Sequence, residues 1–343
     1  MSERGAATDS TPGRGGSSSF RGALRWVVAL VLAALAVRSL LADPSSLRAL
    51  AGLDAATIAE LWALSLLNNL FISQRMALAV VECGGPRVAA WAWFKLVIVG
   101  QFMNLVVPQL GNVYRGLQLK REHGVSYLAY ASGLLTFVWL DTILGVLLCG
   151  ILLAVARPLL ALGGVRALPA LGLFLVALLA APLVVARVLP LFAPKQGLLA
   201  RAHGVAARLI SSATASLRRP AFVGRFCAIG LLVTVVQVLA LRLCFRAVGA
   251  PMDLATAALL QVIVKVSNQI VLTPGNLGVT ELAWGALGRA ATGASLANGV
   301  AAALLFRVVF TPLLVVLGLA FGGAGVLART RAERDAPGAT DDA

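Results

Sequence analysis

Four charged side chains stand in apolar surroundings: Arg115, Asp141, Glu281 and Arg307. Asp141 is set in Phe-Val-Trp-Leu-Asp-Thr-Ile-Leu and Arg307 in Ala-Leu-Leu-Phe-Arg-Val-Val-Phe, each several turns from the ends of its apolar run. A charge at bilayer depth costs at least about 2.5 to 3.5 kcal/mol, so each should face the protein interior and have a partner. Two chemistries fit. In one, Arg115 and Arg307 receive a phosphate or other anionic group, for which the planar guanidinium offers two donors at once, while Asp141 and Glu281 hold the arginines or exchange with a cation of the substrate. In the other, Arg115 pairs with Asp141 or Glu281 and Arg307 with the remaining acid, pinning the fold and saying nothing of transport.

The elements that must position these charges repeat. Pro108-Gln109-Leu110-Gly111 leads to Arg115, and Pro274-Gly275-Asn276-Leu277-Gly278 leads to Glu281, 166 residues later. A second charge follows 26 positions on in each copy, Asp141 in the first and Arg307 in the second, so the signs are reversed between the halves and the four charges sum to zero. Breaks by Pro and Gly at membrane depth free backbone groups that lipid cannot satisfy, so they are tolerated only where protein or a watery cavity receives them. Two breaks in matching places point to a central site; ordinary packed kinks are the alternative. Asn104, Asn112, Asn268, Gln269, Thr273 and Asn276 cluster around the breaks, where they either line a polar path or cap the freed backbone groups. Gln237, Arg242, Gln261 and Lys265 also lie in apolar runs, Arg242 close enough to a helix end to snorkel.

Composition sets the medium. Of 343 residues 59% are hydrophobic and 13% charged, and the mean hydropathy of +0.90 places the chain among membrane proteins. Apolar runs suited to a hydrocarbon core of about 30 Å occur at 24–42, 57–74, 127–156, 167–189, 226–248 and 297–325. The net charge of +15 would suggest nucleic acid in a soluble domain, but these charges flank apolar runs and read as membrane orientation, with no nucleic-acid partner. Residues 1–20 read as a disordered cytoplasmic tail and 326–343 as a second. Arg21, Arg25 and the run after them fit either a signal peptide or a retained first span, and the run's continuation past Arg38 favours the span.

Loop charge then predicts topology. Counting Arg75 and Arg87 as the 75–90 connection brings the second span back to the cytoplasm. If 91–110 crossed as a further span, the 187–225 connection, with seven basic residues and no acid, would face outward. A hairpin over 91–125 that dips in and returns removes the conflict, and 254–290 then dips from the opposite face. The expected fold is therefore an all-α polytopic membrane protein of six spans and two re-entrant broken hairpins in an inverted-topology repeat, 21–156 and 157–325 as membrane repeats, with both termini cytoplasmic; eight full spans is the alternative. Within the basic connection 190–225, Leu198, Ala202, Val205, Leu209 and Leu217 recur at helical spacing with Arg201 and Arg208 on another side, as in an interfacial amphipathic helix or a plain solvated linker.

An enzyme is not expected, although convergence of Asp141 and Glu281 in space would leave an embedded transferase as a third reading. His123 and His203 stand alone in loops, Cys83, Cys149, Cys227 and Cys244 have no metal-ligand spacing, and no HExxH or GxSxG occurs, so neither metal nor cofactor is expected.

The motifs around the breaks resemble a known family. Gly100-Gln101-Phe102 through Pro108, Gly111 and Val113-Tyr114-Arg115 is similar to the "GQF...N..P...GD.YR" region of flippase-like membrane proteins related to the transmembrane part of lysylphosphatidylglycerol synthetase. Thr273 to Glu281 resembles that family's "PGGLGVRE" signature, Leu304 to Arg307 its "LLYR" segment, and Asp141 falls at the aspartate of "LLDRLLG". The resemblance covers about 100–321. It implies a bacterial inner-membrane protein that moves a phospholipid or lipid-linked precursor between leaflets, with Arg115, Arg307, Glu281, Asp141, Asn104, Asn112 and Asn276 around the substrate and Pro108, Gly111, Pro274, Gly275 and Gly278 forming the breaks. Its partners would be lipids with anionic or zwitterionic headgroups, and in a second class of reading, a scaffold's, an envelope-biosynthesis enzyme. Asn112 stands where an aspartate is usual, and Thr142 and Thr280 where arginines are, so charge recognition is expected to differ. The chain's end soon after the last span argues against aminoacylation by this chain.

Overall fold

A computed structural model describes residues 52–106, 109–156, 161–162, 165–188, 198–267, 278–292 and 295–335. The expected first span at 24–42 and the tail at 1–20 lie outside the described residues.

The described chain is helical, apart from one short turn. In order, the helices are α1 (Ala55–Glu82), α2 (Ala90–Val106), α3 (Leu110–His123), α4 (Tyr127–Ala156), α5 (Ala167–Val188), α6 (Leu198–Leu217), α7 (Pro220–Ala247), α8 (Leu254–Ser267), α9 (Val279–Thr292) and α10 (Leu296–Asp335). Two antiparallel strands, β1 (Ala161–Leu162) and β2 (Val165–Arg166), join α4 to α5. Local chemistry sets the boundaries. Asp54 accepts the Thr57 amide at the start of α1, and Pro220 opens α7 where its missing N–H has no partner to lose. Glycines in the left-handed region stop α3 at Gly124 and follow α7 at Gly249.

Ala55–Glu82, Tyr127–Val155, Pro220–Ala247 and Leu296–Gly322 are long and apolar enough to cross a bilayer, so the chain is a multi-pass membrane protein. Their outward faces carry Leu66, Leu70, Val138, Ile151, Val235 and Val316, all exposed, as lipid contact requires. In α5, Leu168–Ala181 is a further apolar stretch of helix. The helix α10 continues past the expected repeat end at 325 to Asp335, through a stretch rich in the good helix formers Ala and Arg. Over 198–217 the basic connection is a helix that packs on α4, not a solvated linker, although Val205 of its predicted apolar side is exposed.

The 166-residue repeat reappears in the helices. Adding 166 to the starts of α1 to α4 (55, 90, 110, 127) gives 221, 256, 276 and 293, against observed starts of 220, 254, 279 and 296 for α7 to α10. Packing follows the same correspondence: α1 lies on α2 and α4 as α7 lies on α8 and α10, and α4 lies on α8 as α10 lies on α2. The equivalent helices α1 and α7 pack together and run antiparallel. Leu61 near the start of α1 shares a core with Leu241, Cys244 and Phe245 near the end of α7, while Ala79 clusters with Phe222 and Phe226 at its start. Ion pairs close both ends of this seam, Glu60 with Arg246 at 3.8 Å and Glu82 with Arg219 at 2.9 Å.

The first broken segment doubles back on itself. Trp93 and Val97 of α2 share a buried cluster with Leu119 of α3, and nearer the break Gly100 abuts Gly111 and Arg115, so α2 and α3 are antiparallel. At 1.5 Å per residue, their 17 and 14 residues span about 25 and 21 Å, less than the hydrocarbon core.

Candidate functional site

Each break positions a charge on the helix that follows it. Gln109, before α3, takes a left-handed backbone (φ 68°), a conformation costly for a side chain and held here by the turn. Gly111 follows, and a Cβ there would lie 1.8 Å from the Gly100 carbonyl oxygen, so the two helix backbones touch only because neither carries a side chain. The Gly111 amide donates to Asn104 Oδ1 at 2.8 Å, so Asn104 caps a freed backbone group. Arg115 comes one turn later, 7% exposed: Nε donates to the Gly111 carbonyl at 3.1 Å, Nη2 to Asn112 Oδ1, and Nη1 faces the Met76 sulfur. It meets neither Asp141 nor Glu281, and it has no acidic partner among the described residues. The expected pairing of Arg115 with either acid is thus corrected: α3 turns it toward α2 and Met76 of α1, and each acid is held elsewhere.

The second break ends in a half capping box. Gly278 (φ 78°) precedes α9, and its amide donates to Glu281 Oε2 at 2.7 Å, the third helical residue reaching back to the cap. The other oxygen of Glu281 is paired with Arg307 Nε, across from α10. Glu281 is 1% exposed and the Arg307 side chain 23%. Sequence reasoning had Glu281 holding an arginine, and it does. Pro108, Pro274, Gly275, Asn276, Asn268, Gln269 and Thr273 lie outside the described residues.

Asp141 serves two cations, neither of them expected. Its Oδ1 lies 2.5 Å from Arg75 Nη1 and 2.9 Å from Lys265 Nζ. Arg75, 1% exposed, also stacks over the Phe226 ring at 4.1 Å and near Phe137 at 5.2 Å. The sequence reading had counted Arg75 as a loop charge after a span ending at 74; α1 instead runs on through Arg75 to Glu82. The signal was present in Phe-Ile-Ser-Gln-Arg-Met-Ala-Leu-Ala-Val-Val, where apolar residues resume after the arginine instead of ending.

Among the described residues, the charges held between the helices are four cations, Arg75, Arg115, Lys265 and Arg307, and two acids, Asp141 and Glu281. The neutral sum read from the sequence becomes an excess of two positive charges. Between the halves lies a cavity of about 240 Å³, bordered by α1, α2 and α7 to α10. Its polar lining is Ser65, Asn68, Gln101, Gln237, Gln261 and Thr280, with Gln261 donating to Gln237 at 3.2 Å. Arg242 borders a second cavity at the end of the α1–α7 seam and donates to the Met252 carbonyl, as a snorkelling side chain would. Among the described residues no three His, Cys, Asp or Glu side chains gather as a metal site would need.

Residues 23–318 match the family model described as lysylphosphatidylglycerol synthase TM region. No curated protein and no solved structure matches the chain.

Proposed function

The chain belongs to the lysylphosphatidylglycerol synthase TM region family, and from that premise we propose that it carries a phosphate-bearing lipid between the leaflets of the bacterial inner membrane, without altering it chemically. The observation behind this reading is the cation excess, and within it Arg115. A guanidinium buried in a membrane protein without a carboxylate is a costly arrangement, and a lipid phosphate supplies the missing charge with a geometry that suits the guanidinium fork. Arg307, partly exposed and tethered by Glu281, is the second phosphate ligand.

The antiparallel packing of α1 on α7 supports an inverted repeat, and the short antiparallel arms α2 and α3 support re-entry over a full crossing. Orientation has support in the gathering of Arg87, Lys95, Lys120, Arg121, Arg218, Arg219 and Arg225 near the ends of α1, α2, α3 and α7 that meet on one side, which favours that side as the cytoplasmic one. Rocking of the halves about the α1–α7 seam then exposes the headgroup to each face in turn.

Leaflet exchange of labelled anionic and zwitterionic phospholipids in proteoliposomes tests the reading. Exchange should fall in Arg115→Ala and Arg307→Ala at equal folded amount; exchange undiminished by both, or none from folded protein, would sink it. The pairing of Asp141 and Glu281 with cations of the protein favours a second reading, a scaffold for a cell-envelope enzyme, in which neutralising Asp141 with Arg307 costs stability alone.

A further inference from the structure

The cavity between the halves is lined differently from the charges around it. Its neighbours in the chain are ionic: Thr280 precedes Glu281, Phe306 precedes Arg307 and Val264 precedes Lys265. Yet the lining side chains are amides, hydroxyls, aromatic rings and aliphatic groups, with no ionised group among them. Amide and hydroxyl groups both donate and accept hydrogen bonds, so they match a partner that does the same. Two buried polar atoms of lining residues, Asn68 Oδ1 and Trp284 Nε1, have no hydrogen-bond partner among the described residues.

An amine has no counterpart there. Both acids of the site are already engaged, Asp141 by two cations on one oxygen and Glu281 by Arg307 on one oxygen and the Gly278 amide on the other. The segments that lie outside the described residues at the two breaks, 107–108 and 268–277, contain no acidic residue. An ammonium entering the cavity would be desolvated beside surplus positive charge, with no carboxylate among the described residues that line it.

We infer that the central cavity selects an uncharged, hydroxyl-bearing headgroup joined to phosphate, such as a glycerol or a sugar, and rejects amine-bearing headgroups. This rests on the lipid reading above and narrows it. The hydroxyls bond to Asn68, Gln237, Gln261 and Thr280, and the phosphate remains with the arginines. A site built to hydrogen-bond hydroxyls discriminates strongly against an analogue that lacks them, because its own polar groups are then left unpaired.

The test is binding, so that it stands apart from transport. Detergent-solubilised full-length protein is titrated with phosphatidylglycerol, phosphatidylinositol, phosphatidylethanolamine and phosphatidic acid, with free glycerol 3-phosphate as a further arm to separate the lipid from its soluble headgroup. The two hydroxyl-bearing lipids should bind at least tenfold tighter than phosphatidylethanolamine and tighter than phosphatidic acid. Asn68→Leu and the double Gln237→Leu/Gln261→Leu should reduce that ratio toward one. Asn68→Leu should do so without lowering the melting temperature, since it removes an acceptor that already lacks a partner. Equal or tighter binding of phosphatidylethanolamine, binding of none of the lipids, or a ratio unchanged in both variants overturns the inference; tighter binding of free glycerol 3-phosphate than of any lipid does so too, by making the ligand a soluble phosphate ester. Selective binding without leaflet exchange would remove the translocation reading and leave the headgroup preference standing.

Discussion

Replacing Asp141 by asparagine would leave two cations buried with no counter-ion, while replacing Lys265 by methionine would leave one matched pair. At an effective dielectric of about 20, the contacts of 2.5 and 2.9 Å to Oδ1 correspond to attractions of about 7 and 6 kcal/mol. The two cations share one oxygen, so they are no further apart than the sum of those contacts, 5.4 Å, and repel by at least about 3 kcal/mol. Lys265→Met therefore gives up about 6 kcal/mol and recovers about half of it from lost repulsion; relief of the ammonium's desolvation, several kcal/mol, offsets the rest. The net change should be within about 1 kcal/mol of zero. Asp141→Asn gives up both attractions and keeps the repulsion, and should cost about 3 to 5 kcal/mol, the range found for broken buried pairs and a large part of a typical folding free energy. The double variant should recover part of that loss. Thermal unfolding in detergent, read as the fraction remaining monodisperse after heating, measures all three. If Lys265→Met proves as damaging as Asp141→Asn, or if Asp141→Asn is tolerated, the account of one acid shared by two cations is wrong.

Other perturbations test other joints. Gly111→Ala drives a Cβ into the Gly100 carbonyl, backbone against backbone, and should cost more than about 3 kcal/mol or prevent folding, seen as loss of monodisperse protein. Gly299→Ala meets the Gly285 Cα and the Trp284 carbonyl at 2.5 Å and should loosen α9 from α10 by a similar amount, read by the same heating assay. Trp62→Phe removes the indole N–H that bonds the Val309 carbonyl at 2.8 Å and should cost only about 1 kcal/mol. At the start of α8, hydrogen bonds from the Thr256 hydroxyl and amide hold the Asp253 carboxyl below its ordinary range. That cap contributes fully above the usual carboxylate pKa and fades as pH falls through the lowered one, so Asp253→Ala should cost about 1 kcal/mol at neutral pH, and its deficit relative to the natural chain should shrink on acidification.

Much of this architecture could be read before any coordinates, because the membrane imposes strong signals. Helices α4 and α5 begin where their apolar runs begin, at 127 and 167, and α3 and α9 begin at 110 and 279, shortly after the two expected breaks. The partners of the charges were less legible. Arg115, Asp141, Glu281 and Arg307 could be picked out one by one, but pairing depends on which way a helix is turned, and a repeat in sequence does not record rotation. Thus Glu281 found Arg307 across the short α9–α10 connection, whereas Asp141 was claimed by Arg75, hidden among charges assigned to a loop, and by Lys265 from the other half. Position 241, the repeat equivalent of Arg75, is a leucine, so no symmetry argument could have exposed it.

The two contacts of Asp141 belong to different parts of the molecule. Arg75 and Asp141 both sit in the first half, on α1 and α4, so that contact can travel with the half as a body. Lys265 belongs to α8, in the second half and just before its break. A displacement that carried α8 away from α4 would stretch the ammonium contact, while the guanidinium contact lies wholly within the first half. In such a displacement a single carboxylate oxygen would serve as both anchor and latch, keeping Arg75 as its counter-ion while Lys265 moved away.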